Sequence, residues 1–219
     1  MRRRTKIACL GFVAIVASFS MESAAASSRD LSPSAVLSSY AICIVDRHPE
    51  MVNAYLRSGS RSPNGRKISK AFDDAKCLLA GVGGMKIPAS SMRWALYGTL
   101  YHSQFGKTPP DDLLGLAKLD FAAERDDMVE AERADHVYVR DFGDCVARAR
   151  ASDVHRLLLM QGDSAKEREE LSALIPAFND CLVGKGEKIS FSRTLIRGIL
   201  AEAMYKLRGG GGAVRASQS

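Results

Sequence analysis

Ile196-Arg197-Gly198-Ile199-Leu200-Ala201-Glu202-Ala203-Met204-Tyr205 repeats, 104 residues further on, the stretch Met92-Arg93-Trp94-Ala95-Leu96-Tyr97-Gly98-Thr99-Leu100-Tyr101. The arginine, the apolar positions and the final tyrosine coincide, whereas Trp94 falls on Gly198. A repeat of this length sets the architecture before any single element is read. Working back from it, Cys181 lies 104 residues after Cys77, and Cys145 lies 102 after Cys43. The region Cys145–Tyr205 is therefore a second copy of Cys43–Tyr101, and the fold is built from two related units.

Each copy reads as four helices. The first carries Val36, Tyr40, Cys43 and Ile44 in one unit and Phe142, Cys145, Val146 and Ala149 in the other, with an aromatic three residues before each cysteine. That spacing lines one helix face. The second carries Val52, Tyr55 and Leu56, matched by Val154, Leu157 and Leu158, with Pro49 and Ser152 as entry signals. In the third helix of the second copy, Leu171, Leu174, Ile175, Phe178 and Leu182 form a stripe that Pro176 should interrupt. The fourth helix opens at Ser192 and buries Ile196, Ile199, Leu200, Ala203 and Leu207, with Glu202 and Lys206 as a surface pair. Gly198 offers room for a close helix crossing. Helix formers abound and no run alternates β-branched with polar residues, so the class is all-α.

The N-terminus reads as an export signal: Arg2, Arg3, Arg4 and Lys6, an apolar run from Ile7 to Phe19, then Ala24-Ala25-Ala26. The run falls short of the roughly 20 residues that span a bilayer. Cleavage would leave no membrane span and four cysteines, an even number in an oxidising compartment. Pairing Cys43 with Cys77 and Cys145 with Cys181 staples both copies in the same way. The whole chain is formally +6. Half of that excess belongs to the signal, and the remaining basic residues are scattered among acids, so a nucleic-acid partner is not expected.

The resulting plan is a signal peptide over 1–26, a helical pseudo-repeat over 27–105 and a charged linker over 106–135. A second helical pseudo-repeat covers 136–208, and a disordered Gly-rich tail covers 209–219. The expected fold is two disulfide-stapled four-helix pseudo-repeats packed as one globule.

Catalytic signatures do not emerge. The four histidines, His48, His102, His136 and His155, do not recur between copies, and no H-E-x-x-H, G-x-S-x-G or C-x-x-C is present. Gly81-Val82-Gly83-Gly84 has neither the preceding strand nor the lysine of a phosphate loop. Glu124, Asp126, Asp127 and Glu130 lack calcium-loop spacing. No catalytic, cofactor or metal residue is assigned. Arg93 and Arg197 stand out, because both copies put an arginine beside an apolar face. Each either fixes a neighbouring carboxylate or helix-end carbonyls, or binds an anion between the copies.

The duplicated pattern Cys…Cys…Arg-Gly-x-Leu-Ala-Glu-x-x-Tyr, here Arg197-Gly198-Ile199-Leu200-Ala201-Glu202-Ala203-Met204-Tyr205, resembles a group of uncharacterised exported bacterial proteins. The resemblance covers most of the chain beyond the signal and implies neither activity nor ligand. The expectation is a periplasmic or secreted, non-enzymatic module that binds a protein or small ligand without a cofactor. The alternative is a cell-envelope enzyme using carboxylates and a histidine. A His–carboxylate pair in a cleft would favour the enzyme, and an apolar groove between the repeats would favour binding.

Overall fold

The structure, a computed structural model, describes residues 32–58, 62–78, 87–122, 130–182 and 191–209, with backbone alone for 130–135. The proposed signal peptide, the Gly81–Gly84 loop, Gly184, Gly186 and the tail beyond Gly209 lie outside the described residues. So do Glu124, Asp126 and Asp127.

The first copy contains α1 (Pro33–Arg47), α2 (Pro49–Arg57), α3 (Pro63–Ala71), a 3-10 turn (Ala75–Cys77) and α4 (Ala89–Phe105). The second contains α5 (Glu130–Ala149), α6 (Ala151–Leu159), α7 (Ala165–Ala173), α8 (Ile175–Cys181) and α9 (Arg193–Leu207). The bounds of α2 and α3 reappear in α6 and α7 at a constant offset of 102 residues. The described residues contain no strand, and all belong to one compact unit. The two disulfides are Cys43–Cys77 and Cys145–Cys181, with Cα atoms 5.5 and 5.8 Å apart. Each ties the first helix of a copy to the segment before its last.

Local chemistry repeats with the helices. Ser62 accepts from the Gly65 amide at the start of α3, and Ser164 accepts from the Glu167 amide at the start of α7. Both capping hydroxyls satisfy an amide that the helix itself leaves unpaired. Between α1 and α2 the chain breaks at His48 (φ −135°, ψ 48°), and between α5 and α6 it breaks at Arg150 (φ −137°, ψ 45°). Pro49 explains the first break by withholding an amide. Arg150 adopts the same conformation before an alanine, so tertiary packing enforces the second. The N-cap of α6 is thus Arg150, without a side-chain bond, and Ser152 lies inside the helix. Pro176 does separate α7 from α8, with the break at Leu174. The break turns Ile175 out of the expected stripe to 50% exposure, while Leu174 is fully buried.

The linker segment divides. Residues 106–122 are largely irregular but send Leu113, Leu119 and Phe121 into the interior, whereas α5 already begins at Glu130. At the centre, α4 and α9 make the most extensive helix–helix contact, with α1 against α4 and α5 against α9. A Cβ on Gly198 would lie 2.3 Å from Cβ and Cγ of Trp94. The closest approach of the two helices therefore joins a pair of equivalent residues. Tyr101 accepts from Arg208, and the equivalent Tyr205 interacts with Gln104. Exchanging the copies converts one contact into the other, as a two-fold arrangement of repeats requires.

Candidate functional site

Two sites flank the α4–α9 contact, and they are counterparts under that exchange. The first is a buried ion cluster. Glu202, 0% exposed, lies within 3.2 Å of Arg93 Nη2, 3.1 Å of Arg140 Nε and 3.1 Å of Lys206 Nζ. Sequence periodicity places Glu202 and Lys206 on a surface face, but here the pair is interior, because α4 and α5 cover that side of α9. Arg93 also bonds the Tyr97 hydroxyl, and Lys206 sits 4.7 Å from the centre of the Phe121 ring. Burial alone would push the Glu202 carboxyl up, but Arg140, Lys206 and Arg93 outweigh it and hold it well below the usual carboxylate range. His136 Nδ1 lies 2.6 Å from an Arg140 Nη1 donor. Burial, then the Arg140 charge, lowers its pKa from 6.5 to about 3, so the ring is neutral at physiological pH.

The second site is a groove of about 670 Å³ lined by α1, α4, α9 and the α6–α7 connection, within the range of small-molecule sites. Moving each cluster residue to its equivalent position gives a residue of the groove. Glu202 becomes Gly98, Arg140 becomes Ser38, Tyr97 becomes Ala201, and His136 becomes Ser34. Lys206 becomes His102, and Arg93 becomes Arg197. Four large side chains are thus replaced by a hydrogen, a methyl and two hydroxymethyls, and the space they fill on one side is open on the other. A Cβ built on Gly98 meets nothing within 4 Å.

The two arginines share one structural task. Arg93 Nη1 donates to the Ser58 carbonyl at 3.1 Å, and Arg197 Nη2 donates to the Met160 carbonyl at 2.9 Å. Ser58 and Met160 are the equivalent C-caps of α2 and α6. Arg197 also donates to the Leu157 and Leu158 carbonyls at 2.8 and 3.3 Å. For its counter-ion Arg93 crosses to Glu202 in the other copy. Arg197 instead faces glycine across the contact, and pairs at 3.1 Å with Glu167 of its own copy. Glu167, 1% exposed, is itself fixed by the Asp163 amide at 2.7 Å.

Between its polar ends the groove wall is mostly apolar, with Leu37, Val45, Trp94 and Ala95 among its residues and Ile42 50% exposed, interrupted by the hydroxyls of Ser38 and Thr99. The groove spans Ser34 to Asp46 on α1 and Ser91 to Ser103 on α4, which at 1.5 Å per residue is about 18 Å. It holds no His–carboxylate ion pair among the described residues. The pair that exists, His48 Nε2 to Asp74 Oδ2 at 3.0 Å, sits at the α1–α2 junction, where Arg47 also bonds Asp74. No group of three or more potential metal ligands occurs among the described residues, and no described helix is long and apolar enough to cross a membrane. Neither family models, nor curated proteins, nor solved structures give a match to this chain.

Proposed function

We propose that the chain is an exported, non-enzymatic binding protein of the cell envelope, and that the groove between α1, α4 and α9 is its ligand site. One observation carries the reading: the groove occupies the position of a tightly filled cluster on the other side of the same helix contact. Two copies of one unit that pack alike would close both sides. Here one side retains its filling and the other has exchanged it for glycine, alanine and serine, while the arginine that braces the neighbouring helix remains. Compartment rests on the basic and apolar leader and on two disulfides, which a reducing cytosol does not maintain.

Trp94 is the chain's single tryptophan and lines the groove, so it reports occupancy directly. Titration with an apolar naphthalene probe should give saturable energy transfer from Trp94 at one probe per chain. Gly98→Leu, whose side chain enters open space, should abolish the signal and leave the circular dichroism unchanged. Absence of saturable transfer in the parent protein, or equal transfer in Gly98→Leu, would refute the reading.

A further inference from the structure

The chemistry of the groove points to the class of ligand, an inference that rests on the binding reading above. Its two arginines are already matched. Arg197 Nη1 is 3.1 Å from Glu167, and Arg193 lies 3.5 Å from Asp163 and 3.8 Å from Glu167. A third carboxylate, Asp46, lines the same groove. An anionic head would therefore enter a site whose cationic charge is spent, and would lose its hydration without a counter-charge.

Hydrogen-bonding capacity is not spent. In the filled cluster Arg93 Nε donates to Glu202 at 3.4 Å. On the groove side the equivalent acceptor is deleted by Gly98, and Arg197 Nε has no acceptor among the described residues. Ser38 and Thr99 add hydroxyls to the same walls. An uncharged oxygen acceptor satisfies these donors without adding charge.

The body of the ligand follows from the walls. Leu37, Val45 and Ala95 offer contact area without hydrogen-bonding groups, and Trp94 adds a single buried indole N–H that has no partner among the described residues. That donor suits one carbonyl oxygen, whereas the repeated amides and carbonyls of a peptide backbone would be desolvated against the apolar side chains of a channel about 18 Å long. A linear hydrocarbon chain has nothing to satisfy. We propose that the groove binds a single acyl chain carrying an uncharged carbonyl head, an ester or amide, with the carbonyl oxygen at Arg197 and the chain along Trp94.

The test compares two probes of equal chain length, palmitic acid and methyl palmitate, each below its aggregation threshold, by Trp94 fluorescence. The ester is expected to bind saturably at one per chain and about tenfold or more tighter than the acid, a difference of about 1.4 kcal/mol. Binding of the acid as tightly as the ester would overturn the assignment of a neutral head while leaving the groove as a binding site. Failure of both probes while the naphthalene probe still binds would overturn the acyl assignment and leave the groove as a binding site; failure of all three would remove the binding reading itself. Glu167→Gln, which frees a positive charge at Arg197, should narrow or reverse the preference. An unchanged ratio in that variant, with its fold verified by circular dichroism, would also overturn the charge argument. Saturable ester binding that survives in Gly98→Leu would place the site elsewhere.

Discussion

Gly98 and Gly198 sit in the interiors of α4 and α9, and the account predicts opposite consequences for the same substitution at each. Alanine in a helix interior is favoured over glycine by about 1 kcal/mol, chiefly because glycine leaves the unfolded chain more freedom to lose. At Gly98 nothing lies within 4 Å of the new methyl, so Gly98→Ala should realise that gain. At Gly198 the methyl would fall 2.3 Å from Cβ and Cγ of Trp94 and 2.7 Å from Cδ2. These atoms are the stem of the indole, and they cannot swing away as the tip of a lysine can. Overpacking of this kind costs about 1–3 kcal/mol. The helix gain is common to both variants, so their difference isolates the contact, and Gly98→Ala should exceed Gly198→Ala by about 1–3 kcal/mol. In a chain of this size each kcal/mol moves the melting midpoint by about 2–4 °C, well within the reach of calorimetry or urea titration. A Trp94→Ala background should let Gly198→Ala recover its gain. Equal shifts for the two glycine variants would refute the crossing at Trp94 and Gly198, and with it the exchange relation between cluster and groove.

Glu202→Gln removes the carboxylate that Arg93, Arg140 and Lys206 share, and should cost about 3–5 kcal/mol in urea unfolding; a loss under 1 kcal/mol would show that the cluster is hydrated. His136 binds its proton more weakly in the folded chain, with a pKa of about 3, than in the unfolded chain, near 6.5. As pH falls below about 6.5 the unfolded state takes up the proton first, so stability should decline progressively toward pH 3. Nuclear magnetic resonance should find the ring neutral at pH 5, and a titration midpoint near 6.5 would contradict its burial beside Arg140. Peptide mapping without reductant should recover only Cys43 joined to Cys77 and Cys145 to Cys181, each closure contributing about 3–4 kcal/mol in the chain-entropy view. N-terminal sequencing of exported protein should begin near Ser27; recovery of intact Met1 would contradict the export reading.

Much of the architecture is legible in the sequence because it rests on recurrence. Two cysteine pairs at offsets of 102 and 104 residues carry the stapling, and the apolar faces around Leu96 and Leu200 carry the central helices. Gly198 opposite Trp94 marks the close approach. The cluster was less visible, because Glu202 and Lys206 at i, i+4 look like an ordinary solvent-facing pair on one helix. Only the covering helices bring in Arg93 from the other copy and Arg140 from α5, which a single-helix pattern does not contain. The groove was hidden for a further reason. Recurring positions are packing positions, and the groove is made by positions that fail to recur: Glu202 against Gly98, Tyr97 against Ala201, Arg140 against Ser38. A signal was present in those mismatches, all of which trade a large side chain for a small one on the same side. What no alignment of the copies supplies is that these positions, spread over α1, α4 and α9, converge in space.

The most direct test of the central claim is a crystal structure of the protein with an acyl ester bound. The account predicts density for the chain between α1 and α4 alongside Trp94, with its carbonyl oxygen within hydrogen-bond distance of Arg197 and the Glu202 cluster unchanged on the opposite side. Density for the ester anywhere else, or a groove closed by inward movement of α1 onto Gly98, would contradict it.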